Sequence, residues 1–288
     1  MLVGIITGCD TNQPDNNGKT AETMPDYKDA FRILAIGNSF SRDAMSFMYD
    51  MAVANGADIQ GIDITNAYIG GATLSLHATN AKNNIKAYTH QTFKSKGQII
   101  EVENVTLKSM IERNYWDVIT LQQASQDTGK PSTYNADIAY LIDYIREHAT
   151  NPNVVIAWHM TWAYANYSSH QNFPDYGNNQ MTMYNAIIDA VKTRIVPNND
   201  FAFVIPAGTA IQNARTIFGE TLNWADGYHL NLTGQFIAGA MMLRSITGWD
   251  IDIIDEYSPA NLTRGAISKI NQCVQDAFNY PYGVTIQE

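Results

Sequence analysis

Blocks of apolar residues alternate along the chain with stretches in which apolar residues recur every three or four positions. Short apolar blocks are typical of strands covered on both faces, and a spacing of three to four is typical of amphipathic helices. The predicted strands cover residues 31–39, 59–71, 116–125, 153–163 and 201–211. Regular alternation of the two patterns predicts parallel strands connected by crossover helices.

Helical patterns lie between and after these strands, at residues 45–56, 134–149, 178–195 and 232–248. The last begins after Asn231 and stops at Gly248, which are common helix caps. Residues 92–107 break the alternation and predict a small hairpin around Lys96 and Gly97, inserted before the third strand. The predicted fold class is α/β: a three-layer α/β/α sandwich with a five-stranded parallel, flavodoxin-like, doubly wound sheet.

Residues 1–30 differ in pattern from the rest. Residues 2–9 read LVGIITGC, a short apolar stretch that ends at Cys9, and a polar segment follows. The stretch resembles the lipobox of a bacterial lipoprotein signal, although the usual basic segment is missing. The resemblance implies a lipid on Cys9 and a place in the cell envelope, periplasmic or surface-exposed; the alternatives are secretion, or an apolar terminus with an idle thiol. Residues 1–30 are interpreted as signal remnant and tether, and 31–288 as one folded domain.

Composition excludes several classes of partner and cofactor. Charged residues are only 16% of the chain, and the net charge of −10 would repel nucleic acid and anionic lipid headgroups. The six histidines show no paired spacing, so no metal site is predicted. Glycine-rich nucleotide motifs are missing, and the loop after the first strand lacks the Ser/Thr-rich phosphate cradle of a flavodoxin. We therefore expect no cofactor.

Two short segments contain residues suited to nucleophilic catalysis. The first predicted strand ends in Gly37, Asn38 and Ser39, where a small residue permits a sharp turn that exposes the serine hydroxyl. Asp226 lies three residues before His229, close enough to accept the Nδ1 hydrogen bond and leave Nε2 as a base. Each segment alone is also explained by ordinary helix capping, so only their combination is informative.

With Gly70 and Gly71 after the second strand and Gln122 after the third, the chain resembles the SGNH or GDSL-like hydrolase superfamily from residue 32 to about 248. More narrowly it resembles a GNSF-type branch found among bacterial lipoproteins. The resemblance implies that Ser39 is the nucleophile. Two motifs depart from the standard pattern. The first reads GNSFS where the family has GDSL, and the second reads LQQAS at the position where the family has its asparagine.

The same resemblance implies a Ser39–His229–Asp226 triad and an oxyanion hole. The N–H groups of Ser39 and Gly71 would hold the oxyanion, with Gly70 as the alternative to Gly71. Gln122 would replace the family's asparagine, because its amide is the same donor on a longer side chain.

The function expected from the resemblance is that of a serine esterase acting on acyl groups, above all O-acetyl groups on carbohydrate. Side chains proposed to line the substrate site are His77, Trp162 and Tyr164, whereas Trp158 is predicted to lie in the core. The alternative is a glycan-binding lipoprotein on the same fold with reduced turnover. In the C-terminal segment, 249–288, a helical pattern around Cys273 predicts a buried thiol.

Overall fold

A computed structural model describes Tyr27, residues 30–249 and residues 262–286. Cys9 and nearly all of the predicted tether lie outside these residues. Within them, no helix is long and apolar enough to cross a membrane.

A single mixed sheet of seven strands runs through the described part of the chain, in the order β4-β3-β2-β1-β5-β6-β7. Neighbours from β2 to β7 in that order pair in parallel, whereas β3 and β4 extend the β2 edge as an antiparallel hairpin. The strands are β1 (Phe31–Gly37), β2 (Ile62–Tyr68), β3 (Tyr88–Phe93), β4 (Ile99–Val105), β5 (Val118–Leu121), β6 (Val155–His159) and β7 (Phe203–Ile205).

The prediction of five strands is therefore correct for the parallel part and wrong for the whole sheet. The hairpin predicted as an insertion exists, but it begins earlier, at Tyr88, and β3 joins the main sheet through its pairing with β2. The pattern concealed this strand because YTHQTF has no continuous apolar run. A strand at the antiparallel end of a sheet needs only one buried face.

Helices pack on both sides of the sheet. On one side α1, α2, α7, α8 and α9 contact one another, and on the other α3, α4 and α5 do so. The helices are α1 (Ser39–Met45), α2 (Met48–Ala54), α3 (Leu74–Lys82), α4 (Leu107–Glu112), α5 (Ala136–His148), α6 (Gln180–Arg194), α7 (Ala207–Phe218), α8 (Leu232–Thr247) and α9 (Arg264–Asn279).

Several helices depart from the sequence prediction. The helix expected at 45–56 corresponds to α2, and a separate short helix, α1, precedes it and begins at Ser39, immediately after the strand. Residues 207–211, predicted as strand, belong to helix α7, which begins directly after Pro206. Helices α3 and α4 were not predicted. In contrast, α8 begins after its Asn231 cap and ends at a left-handed Gly248, as expected.

The predicted site residues lie at one edge of the sheet, where the parallel strands have their carboxyl ends. Ser39 follows β1, Gly70 and Gly71 follow β2, and Gln122 follows β5. The loop that contains Asp226 and His229 joins α7 to α8 at the same edge. In open α/β sheets this edge is where ligands bind, beside the strands at which the connections reverse direction.

Gly37 ends β1 in a space that admits no side chain. A Cβ atom there would overlap Ser41 Oγ and lie 3.2 Å from Gln122 Cδ. Both groups are buried and hydrogen-bonded to each other. The turn that presents Ser39 therefore requires glycine at this position.

We expect Gly37→Ala to lower the free energy of unfolding by about 2–4 kcal/mol, because the added methyl overpacks a buried polar cluster and breaks its hydrogen bonds. Gly265→Ala is the control, at an exposed position of helix α9 where the nearest atom to the new Cβ lies 4.0 Å away, and it should be neutral or slightly stabilising. Urea denaturation followed by circular dichroism measures both. Equal stabilities of the two variants would contradict the steric argument.

Candidate active site

Ser39, His229 and Asp226 form one continuous line of hydrogen bonds. Ser39 Oγ lies 2.9 Å from His229 Nε2, and His229 Nδ1 lies 2.7 Å from Asp226 Oδ2. Ser39 and His229 are 190 residues apart in sequence, so the fold and not local structure brings them together. The side chains of His229 and Asp226 are about one third exposed, which leaves the line open to a ligand.

The Asp226 carboxylate shapes the loop as well as orienting the imidazole. Its Oδ1 accepts the backbone N–H groups of Tyr228 and His229, at 2.9 and 3.0 Å. Burial favours the neutral acid, but these bonds and the bond from His229 outweigh it and hold the pKa of Asp226 below its usual value. An ionised Asp226 accepts a proton-bearing Nδ1, so Nε2 is left to accept the serine hydroxyl.

Backbone contacts hold the rest of this loop in place. The Trp224 N–H donates to His229 O at 2.9 Å, and Gly227 has a positive φ of 75°. A Cβ on Gly227 would lie 2.5 Å from Ser168 Cα, so a second loop packs directly against it. The Arg215 guanidinium, buried below both loops, donates to Ala163 O and Asn223 Oδ1. The loop that carries His229 is therefore fixed before any ligand binds.

Asn38 connects the turn that carries Ser39 to the glycine loop after β2. Its Oδ1 accepts the Phe40 N–H and caps α1, and its Nδ2 donates to Ala72 O at 3.1 Å. The N–H groups of Ser39 and Gly71 donate to no acceptor in the described part of the chain. Gly71 has a positive φ of 65° and is exposed. Two unpaired backbone donors thus lie in the two segments that Asn38 joins.

Gln122 does not occupy the position expected of an oxyanion donor. It is 2% exposed, its Nε2 donates to Asn38 Oδ1 at 2.8 Å, and its Oε1 accepts from Ser41 Oγ and His159 Nδ1, both at 2.9 Å. Three of the four hydrogen bonds that an amide can make are therefore internal. The extra methylene lets the amide cap the buried turn from below, so Gln122 supports Asn38.

The three side chains predicted to line the substrate site are buried. Trp162 stacks on Phe40 with ring centroids 4.4 Å apart and donates to Tyr228 O, so it supports the catalytic segments from behind. Tyr164 is fully buried, with its hydroxyl 2.8 Å from Ser125 Oγ. His77 lies inside helix α3, 3.1 Å from the Tyr88 hydroxyl.

The physical reason for these corrections is the short length of the strand. Strand β6 ends at His159, so the alternation of WHMTW does not continue to Trp162. Burial lowers the pKa of His77 to about 4, which keeps this imidazole neutral and structural. Trp158 is fully buried in the core, as predicted, and Cys273 is a buried free thiol.

Two aromatic side chains near the site remain exposed. Trp224, two residues before Asp226, is 49% exposed, and Tyr167 is 47% exposed. The Tyr167 hydroxyl donates to Trp224 O at 3.2 Å, so the two residues belong to one surface. Exposure is a tertiary property, so the sequence alone does not distinguish these two rings from the buried aromatic residues.

The described residues contain no group of three or more His, Cys, Asp or Glu side chains arranged to hold a metal ion.

A serine, a histidine and an aspartate at the carboxyl edge of a mostly parallel sheet define an α/β protein with a candidate nucleophilic site. Residues 32–277 match the family DUF4886, a domain of unknown function, and the chain belongs to that family. The crystal structure of a DUF4886 family protein from Bacteroides uniformis ATCC 8492 is similar, with a TM-score of 0.82 and 36% identity over 90% of this chain and 98% of that one.

Two further solved structures match at lower similarity. A candidate SGNH hydrolase from Slackia heliotrinireducens has a TM-score of 0.48 and 18% identity, over 76% of this chain and 100% of that one. A gut microbial diltiazem-metabolizing enzyme has a TM-score of 0.48 and 13% identity, over 79% of this chain and 49% of that one. No curated protein matches the sequence.

We expect Gln122→Ala to lower the free energy of unfolding by about 3 kcal/mol, because Asn38, Ser41 and His159 would each lose a buried partner. Gln98→Ala, in the exposed turn between β3 and β4, is the control and should change it by less than about 0.5 kcal/mol. Urea denaturation measures both. Unchanged stability of Gln122→Ala together with slower ester hydrolysis would instead support the oxyanion role.

Proposed function

We propose that this protein is a serine esterase of the SGNH type. The observation that carries the proposal is the unbroken line from Ser39 Oγ through the His229 imidazole to the Asp226 carboxylate. A hydroxyl becomes a useful nucleophile at neutral pH when a positioned base takes its proton and a third group orients that base.

The reaction begins when Ser39 Oγ attacks the ester carbonyl and His229 Nε2 takes the hydroxyl proton of Ser39. Asp226 stabilises the imidazolium that forms, and His229 then returns the proton to the leaving alcohol. Water hydrolyses the resulting acyl-serine by the same steps. The free N–H groups of Ser39 and Gly71 are the donors available to the tetrahedral oxyanion.

The order of the motifs along the chain also supports the superfamily. The SGNH order is a serine after the first strand, a glycine loop after the second, and an aspartate and histidine late in the domain. Here Ser39 follows β1, the glycine loop follows β2, and Asp226 and His229 precede α8. The departure at the third motif is accounted for by the burial of Gln122 beneath Asn38. The oxyanion hole we propose therefore has two backbone donors and no side-chain amide.

For the substrate we propose an acylated carbohydrate, with an O-acetyl group as the acyl part. Trp224 and Tyr167 offer exposed aromatic rings beside Asp226, and such rings suit the apolar faces of sugars. They replace Trp162 and Tyr164 in this role.

The lipid anchor at Cys9 and a place in the cell envelope remain part of the proposal. An enzyme tethered by the polar segment that follows Cys9 would act on polymers or oligomers outside the cytoplasm. The alternative, a glycan-binding lipoprotein with reduced turnover, is tested by the same experiment as the esterase.

We expect a fluorophosphonate to form one covalent adduct with the wild-type protein and none with Ser39→Ala. Ser39→Ala and His229→Ala should each lower kcat on p-nitrophenyl acetate by about 10⁴-fold or more, because the triad acts as a unit. Intact mass spectrometry and absorbance at the same protein concentration measure the two effects.

Ser169→Ala, which removes an exposed hydroxyl from the neighbouring loop, is the matched control and should label and turn over like the wild type. Neither adduct nor turnover in folded wild-type protein would contradict the esterase and favour the binding protein. Glycan affinity would then be the quantity to measure.

Trp224→Ala should reduce kcat/KM on an acetylated xylo-oligosaccharide about tenfold more than on p-nitrophenyl acetate, because only the sugar uses the ring face. Tyr115→Ala, an exposed aromatic at the opposite end of the parallel strands, is the control and should change both values equally or not at all. Acetate release and p-nitrophenol release measure the two rates. Equal losses on both substrates for Trp224→Ala would contradict the sugar platform.

A further inference from the structure

Asp43 is a buried carboxyl group whose position connects the two halves of the site. It lies one helical turn after Ser39 on α1 and is 7% exposed. Its Oδ2 accepts the backbone N–H of Leu230, the residue after His229, at 2.8 Å. The helix that carries the nucleophile is thus bonded directly to the loop that carries the base.

Gln235, in the first turns of α8, completes this contact. Its Nε2 donates to Asp43 Oδ1 at 3.3 Å and to Leu230 O at 2.9 Å. Both backbone groups of Leu230 are therefore held by side chains. The cap of α8 is provided separately by Asn231, so this set of bonds is not an ordinary helix cap.

The carboxyl group is costly for the fold in its charged form. Burial raises the pKa of Asp43 to about 7, although the Leu230 N–H and the nearby charges of His229 and Arg42 favour ionisation; the charge of Asp226 opposes it. An amide or a hydroxyl would serve a purely structural contact at a lower desolvation cost. Titratable groups with such shifts concentrate at functional sites.

We propose that Asp43 is a positioning residue that holds His229 against Ser39 through Leu230 and places a second carboxylate near the imidazole. This inference rests on the proposed roles of Ser39 and His229. Asp43 contacts neither the substrate nor the hydroxyl, and acts through the loop backbone and its field. Since an anion favours the imidazolium that forms during attack, the ionised form of Asp43 is the active one.

The informative variant is Asp43→Asn. It keeps an oxygen for the Leu230 N–H but removes the charge and turns an N–H donor toward the Gln235 Nε2 donor. Asp43→Ala removes the contact entirely. Asp143→Asn, the same chemical change on the exposed face of α5, is the control.

In the kinetic experiment, Asp43→Asn and Asp43→Ala should lower kcat on p-nitrophenyl acetate about 10- to 100-fold, with KM within about twofold of wild type. As the pH falls below about 7, log kcat of the wild type should decline more steeply than that of Asp43→Asn, because only the wild type loses the Asp43 charge by protonation. The slope of log kcat against pH should therefore be smaller in Asp43→Asn than in the wild type. A purely structural contact would not change this slope.

Thermal unfolding tests the ionisation independently of any activity. Between about pH 4 and pH 7 the folded wild-type protein keeps a proton on Asp43 that the unfolded chain has released, so its stability falls as the pH rises. Asp43→Asn lacks this proton. The difference in Tm between the wild type and Asp43→Asn should therefore decline across that window. The difference in Tm between the wild type and Asp143→Asn should stay constant.

The two arms separate the failure of the inference from the failure of the proposed function. Unchanged kcat and slope in Asp43→Asn, a loss of kcat with the wild-type slope, or a constant Tm difference would each overturn the role of Asp43. A wild-type protein that hydrolyses no ester but shows the declining Tm difference would overturn the esterase and the kinetic role together, leaving Asp43 as an ionising anchor only.

Discussion

The buried turn after β1 is the constraint on which the rest of the site depends. There is no room for a side chain at Gly37, because the space beside it is occupied by the side chains of Ser41 and Gln122. These two side chains and Asn38 are hydrogen-bonded to one another. Because an unpaired polar group in such a place costs about 1–3 kcal/mol, the bonds hold as a set. The same set starts α1 at Ser39 and, through Asn38 and Ala72, fixes the glycine loop after β2.

Around this turn, the molecule joins segments that are far apart in sequence by short, buried contacts. Trp162 stacks on Phe40 of α1 and bonds the backbone of Tyr228, and Asp43 bonds Leu230. The line of hydrogen bonds from Ser39 to Asp226 therefore has supports on both sides, from the loop after β6 and from α1. Positioning of this kind is what lets an enzyme use a hydroxyl and an imidazole whose chemistry is unremarkable in water.

Several polar residues of the site are buried and serve this support. Gln122, His159 and Asp43 lie below the surface that a ligand would meet, whereas Ser39, Gly71 and His229 form part of that surface. A buried amide beneath the turn takes the place where an exposed donor was expected. In the proposed esterase, the backbone N–H groups would therefore be the donors to the oxyanion, without the side-chain donor that the resemblance implied.

Much of this arrangement was predictable from the sequence. Continuous apolar blocks determined the five parallel strands, since strands covered on both faces tolerate few polar residues. The spacing of Asp226 and His229 determined their hydrogen bond, because three residues of loop suffice to bring the two side chains together. The two ends of helix α8 were predictable from its capping residues, because a cap acts over a single helical turn.

The sequence could not determine what depends on contacts between distant segments. Strand β3 lacks an apolar run, so only its pairing with β2 reveals it. Whether Gln122 faces a ligand or the core, and whether Trp162 or Trp224 is exposed, depends on where strands end and which loops cover them. Asp43 looks like any helical carboxylate until Leu230, 187 residues away, is packed against it. Local patterns are set by neighbours in sequence, whereas burial and long-range hydrogen bonds exist only after the chain has folded.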